Sequence, residues 1–132
     1  MNSTLIAEDV KKKTILIADD DFFMREQAKL ALTSIADTIE AESGDQVVEL
    51  YKKHKPTAVL LDIHMPRQGG KEVLRDLLKH DPNAYIIMVS ADAQTQNVQA
   101  AKFGGAKGFV AKPFTKAALL QYVMACPAFQ QK

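Results

Sequence analysis

Apolar and polar positions along this chain fall into two alternating rhythms. The first is a short, nearly unbroken apolar run. It occurs at "TILIAD" (14–19), "TAVLLD" (57–62), "YIIMVS" (85–90) and, more briefly, "GFVAK" (108–112). Such runs are too short for helices and predict strands buried on both faces, as in a parallel sheet. A further run, "TIEAES" (38–43), alternates apolar with polar and predicts a more exposed strand. The second rhythm is helical. Met24, Ala28, Ala31, Leu32 and Ile35 share one face of a helix that Asp20 or Asp21 can cap. Val47, Val48, Leu50 and Tyr51 mark a second helix, ended by Pro56. Val73, Leu74, Leu77 and Leu78 mark a third over 71–80, stopped by Pro82. "AQTQNVQAAKF" (93–103) reads as a fourth, ended by Gly104 and Gly105. After Pro113, Leu119, Leu120, Val123 and Met124 form the stripe of a fifth over 115–124.

Five strand–helix units in alternation predict an α/β fold, a doubly wound parallel sheet covered by helices on both faces. A length of 132 residues fits one domain. The domain is expected over 14–126, with a loosely held arm at 1–13 and a tail at 127–132. Composition changes this picture little. A hydrophobic share of 47% with 25% charged residues is ordinary for a globular chain. The net charge of +1 argues against partners held mainly by charge, such as duplex DNA or an anionic membrane. A single cysteine, Cys126, rules out an internal disulfide and fits a reducing compartment. No apolar run approaches the roughly 18–20 residues of a membrane helix, and "MNSTLIAEDVKKK" lacks the apolar centre of a secretory signal. A cytoplasmic location is the expectation.

The candidate chemistry lies at the strand ends. The first strand ends on Asp19, Asp20 and Asp21, the third on Asp62, the fourth on Ser90 and the fifth on Lys112. Parallel strands bring their carboxyl ends to one edge, where open α/β sheets bind ligands. Carboxylate donors without histidine or cysteine partners suit a hard ion such as Mg²⁺; His54, His64 and His80 are too scattered for a zinc site. Lys112 and Ser90 are suited to phosphoryl oxygens. Asp62, isolated at its strand end with Lys112 as a partner, is a carboxylate nucleophile that can form an acyl phosphate. The plainer alternative is that these acids are helix caps and solvated loop residues, a reading that fits Asp21 in particular.

Four blocks, "ILIADDD", "VLLDIHMP" with Gly70 after it, "IIMVSA" and "GFVAKPF", resemble in order and spacing a response-regulator receiver domain of two-component signalling. The resemblance covers about 14–124. It implies a flavodoxin- and CheY-like (βα)5 sandwich with strand order 2-1-3-4-5. It makes Asp62 the phospho-acceptor and Asp20 the direct Mg²⁺ ligand. Asp19 helps position the ion, and the backbone carbonyl of His64 is a further ligand. Ser90 is the switch hydroxyl, Lys112 the phosphate-pairing lysine, and Lys112–Pro113 a peptide that is usually cis. Phe109 matches the aromatic switch position, without the hydroxyl of the commoner tyrosine. Gln68 replaces an apolar loop residue. His64 and Asp92 occupy positions whose side chains tune phosphoryl lifetime.

The resemblance implies a signalling phospho-acceptor, not an enzyme, although phosphorylation and autodephosphorylation at Asp62 are expected. The donor would be a histidine kinase or a histidine phosphotransfer protein. Output would pass to an unknown protein partner through the face of the fourth helix, fifth strand and fifth helix, where Val98, Phe109 and Tyr122 can lie. A monomer or weak phosphorylation-dependent dimer is expected, with no nucleic-acid binding and no membrane insertion. A stand-alone regulator is the first reading, and a receiver excised from a longer transcriptional or enzymatic regulator is the alternative. An aspartate-based phosphohydrolase is a third, weakened because Asp19-x-Asp21 is followed by Phe22 and no segment is long enough to form a cap.

Overall fold

Alternate side chains of each central strand enter two different cores, which is why the strands read as unbroken apolar runs. The structure is a computed structural model and describes residues 13–92 and 94–130. Its strands are β1 (Thr14–Ala18), β2 (Asp37–Ala41), β3 (Ala58–Asp62), β4 (Ile86–Ser90) and β5 (Gly108–Ala111). Its helices are α1 (Phe22–Leu32), α2 (Val47–His54), α3 (Gly70–His80), α4 (Thr95–Phe103), α5 (Lys116–Met124) and the single turn α6 (Pro127–Gln130). Leu16, Val59, Leu61, Ile86 and Met88 face a core shared with Val47, Val73, Leu77 and Ala101, on the side of α2, α3 and α4. Ile15, Ile17, Leu60, Ile87 and Val89 face a second core with Ala28, Leu32, Leu119 and Val123, on the side of α1 and α5. Each fully buried leucine or isoleucine contributes roughly 1.5–3 kcal/mol, so the two layers carry the fold.

All strand pairs are parallel, in the order β2-β1-β3-β4-β5. The chain moves outward from β1 to β2, then returns past β1 to β3, so the order reverses between β1 and β3. Alternation along the sequence predicts a parallel sheet; the order was implied only by the resemblance, and the structure has it. β2 lies at the edge, which accounts for its partly exposed, alternating pattern.

Local chemistry sets the element ends. The Asp21 carboxylate accepts from the N–H groups of Phe23 and Met24 and caps α1. Thr115 caps α5 by accepting from the N–H of Ala118. Lys55, in the left-handed region with φ of 48°, closes α2 before Pro56. The helix expected through Ile35 stops at Leu32. Met124, placed on the apolar stripe of the last helix, is exposed. Of the arm expected at 1–13, only Lys13 lies within the described residues. In the tail, Phe129 of α6 packs against the second core, while residues 131–132 lie outside the description. Among the described residues, no helix is long and apolar enough to cross a membrane.

Candidate functional site

The reversal of strand order places the ends of β1 and β3 side by side, and with them Asp19 and Asp62. Both are buried, at 5% and 4% exposure. Asp20, next to Asp19, is exposed. Each of the three offers a carboxylate oxygen within 4.8 Å of the others. Lys112, one residue beyond β5, reaches back across β4. Its Nζ lies 2.7 Å from Asp19 Oδ2 and 3.4 Å from Asp62 Oδ2. Two of the three clustered carboxylates thus share one ammonium. An all-oxygen donor set with excess negative charge fits a hard divalent cation such as Mg²⁺.

The backbone fixes these groups. Asp19 Oδ1 accepts from the N–H of Asp21 at 2.9 Å, and Asp62 Oδ1 accepts from the N–H of His64 at 3.2 Å. Gly70 lets α3 begin against the end of β3, because a Cβ there would stand 2.2 Å from the carbonyl oxygen of Asp62. The Lys112–Pro113 peptide is cis.

Burial pushes the Asp62 carboxyl up to about 6, and the negative charge of Asp19 adds to that; Lys112 and the His64 N–H only partly offset it. For Lys112, burial works to lower the pKa, but the Asp19 and Asp62 carboxylates outweigh it and hold the ammonium above the ordinary lysine range. Above pH of about 6, the pocket therefore holds an ionised Asp62 that gains from any further cation.

The remaining sequence-predicted residues stand differently. Ser90 is wholly buried at the end of β4, and its Oγ accepts from the N–H of Asp92 at 3.0 Å. The His64 side chain is exposed, outside the acid cluster. Phe109 sits inside β5, away from the strand tips, half-buried against the core on the α2, α3 and α4 side. Gln68 binds the Asp76 carboxylate at 2.7 Å. Phe22 and Phe23 begin α1, and although large and apolar they are 56% and 78% exposed.

One residue escaped the sequence reading. Arg25 is buried in α1. It donates from Nε to Glu40 at 2.9 Å and from Nη1 to the carbonyl of Asp19 at 2.8 Å. The signal was available: Arg25 lies three residues before Ala28 and seven before Leu32, so a cation stands on the apolar stripe.

This geometry agrees with comparisons to known proteins. The family described as the response regulator receiver domain matches residues 15–124. The chemotaxis protein CheY of Thermotoga maritima is 42% identical over 104 residues, covering 77% of this chain and 87% of that protein. CheY of Bacillus subtilis is 41% identical over 111 residues, covering 83% and 92%. A CheY chain in the CheX–CheY–BeF3–Mg²⁺ complex from Borrelia burgdorferi is 37% identical, with a TM-score of 0.82 over 86% of this chain and 87% of that one. The chain belongs to the response-regulator receiver family.

Proposed function

We propose that this chain is a phospho-accepting response regulator in which Asp62 receives a phosphoryl group from the phosphohistidine of a kinase or phosphotransfer protein. The observation that carries this reading is the pair of buried carboxylates on adjacent strand ends sharing the single Lys112 ammonium. In the reaction an Asp62 oxygen forms a bond to phosphorus as the phosphorus–nitrogen bond of the donor breaks. The bond's electron pair leaves on the imidazole. Asp62 acts in its ionised form, which its raised pKa still allows at neutral pH. Lys112 pairs with a phosphoryl oxygen, so the protein contributes positioning and electrostatics.

Asp19, Asp20, Asp62 and the carbonyl of His64 would hold Mg²⁺. The bound ion supplies positive charge to the equatorial oxygens of the transferring group. The donor set supports this, and so does the Mg²⁺ complex of the similar Borrelia burgdorferi CheY. The exposed rings of Phe22 and Phe23, beside the pocket, offer apolar surface to a protein donor.

Phosphorylation then draws the Ser90 hydroxyl toward the phosphoryl group, and Phe109 follows into the space released. These shifts bias the face formed by α4, β5 and α5, on which Val98, Phe109 and Tyr122 are all half-buried, for a protein partner. Such a regulator works in the cytoplasm, as a monomer or a weak phosphorylation-dependent dimer. Incubation with acetyl phosphate and Mg²⁺, followed by peptide mass mapping, tests the assignment. One phosphoryl group is expected, on Asp62. Full incorporation in Asp62→Asn would refute it.

A further inference from the structure

Arg25 is a costly residue for its place. It is 5% exposed on the stripe of α1 that otherwise packs Ala28, Ala31 and Leu32 into the core. Burying a guanidinium there carries a desolvation penalty, and an apolar side chain of similar volume generally serves stability as well or better. Packing alone therefore does not account for it. Its hydrogen bonds do. Nε donates to Glu40 Oε1 at 2.9 Å and Nη2 to Glu42 Oε1 at 3.4 Å, which ties α1 to β2 and the segment after it. Nη1 donates to the main-chain carbonyl of Asp19 at 2.8 Å. The Phe22 ring lies over the guanidinium, 5.8 Å from centroid to Cζ.

Asp19 is where β1 leaves the sheet. Its N–H still donates to the carbonyl of Ala41 at 3.0 Å, but its own carbonyl is taken by Arg25. The side chain of α1 thus stands in for a strand neighbour and prolongs β1 by one residue, into the acid cluster. Asp20 follows directly, exposed, and its position depends on the backbone held on either side: Asp19 by Arg25, and Asp21 by its cap on α1.

We propose that Arg25 is a positioning residue for the cation site: by clamping the Asp19 carbonyl against β2, it fixes where the Asp19 and Asp20 carboxylates stand. This rests on the reading that the acid cluster binds Mg²⁺. Residues that orient metal ligands from behind typically matter about 10–100-fold in metal affinity.

The sign of the effect separates positioning from charge. Arg25 is a cation close to a cation site. By Coulomb's law alone, removing it would tighten Mg²⁺ binding. Positioning requires the opposite. Arg25→Met and Arg25→Lys are titrated with Mg²⁺ by calorimetry beside the wild type. Amide hydrogen exchange is followed in the metal-free proteins. Arg25→Lys keeps the charge and a contact with Glu40, so it preserves the fold, but a single ammonium cannot also hold the Asp19 carbonyl in a planar fork. Both variants are expected to bind Mg²⁺ about ten-fold more weakly, and the Asp21 N–H to exchange faster. A merely structural arginine would lower the melting temperature and leave the Mg²⁺ dissociation constant of the folded protein in place. An unchanged or tighter constant in Arg25→Lys overturns the proposal. If the wild type itself binds no Mg²⁺, the reading of the site fails and the proposal falls with it.

Discussion

The two ends of the same sheet differ in how their buried charge is settled. At the amino-terminal end, the Tyr51 hydroxyl donates to Asp81 at 2.7 Å, a neutral donor satisfying a carboxylate. Around that pair, α2 ends on Lys52 and Lys53 and α3 on Lys79, cations that suit the negative ends of helices. At the carboxyl-terminal end, Asp19 and Asp62 share one ammonium, with Asp20 beside them. The first end is organised for stability. The second holds more negative charge than it can balance, which opposes folding and favours a cation.

The largest expected effect follows from that contrast. An acid whose pKa is raised by folding binds its proton more tightly in the folded state. Stability therefore falls as pH rises from the unfolded value of 3.8 through the folded value of about 6. Above that window, ionised Asp62 costs about 3 kcal/mol, by the conversion of pKa shift to free energy. Asp62→Asn should thus stabilise the metal-free protein by about that much near neutral pH, raising its melting temperature by roughly 10 °C. The gain should vanish below pH of about 4. Thermal melts in the presence of a chelator, across that pH range, check it; a pH-independent difference would rule out ionisation of Asp62 as the cause.

At the opposite end the same kind of change should do the reverse. Tyr51→Phe removes one donor to a partly buried carboxylate and should cost about 1 kcal/mol in denaturant melts. Phosphorylation of Asp62 by acetyl phosphate should be untouched. A fall in both would mean that the two ends are not independent.

The smallest effect on stability is expected at the rim of the acid pocket. Phe23→Ala, at a largely exposed ring, should change stability by no more than about 0.5 kcal/mol. It should slow phosphotransfer from a protein donor and leave reaction with acetyl phosphate unchanged. Equal slowing with both donors would remove the docking role assigned to this surface.

Much of this was legible in the sequence because strand burial and helical stripes leave strong periodic signals. Leu16 and Ile17 point to opposite faces, so only a two-sided core makes their run apolar. Asp62 and Lys112 stood out because each follows such a run. Strand order did not follow from periodicity, since pairing between β1 and β3 is non-local and leaves no mark on either segment. The place of Arg25 on the apolar stripe was legible, but its role was not, for a related reason. Its partners, Glu40 and the carbonyl of Asp19, are set by how β2 lies beside β1. The exposure of Phe22 and Phe23 also ran against the expectation attached to large apolar residues, because both precede the turn of α1 that meets the core.

The central claim, that the unbalanced carboxyl-terminal edge is a cation site built around Asp62, is tested most directly by Mg²⁺ titration as a function of pH. The dissociation constant of the wild type should be level near neutral pH and rise toward about ten-fold per unit below pH of about 6, as a proton competes for Asp62. Asp62→Asn should bind more weakly and without that pH dependence. Binding that is independent of pH, or equal in Asp62→Asn and wild type, would contradict the account.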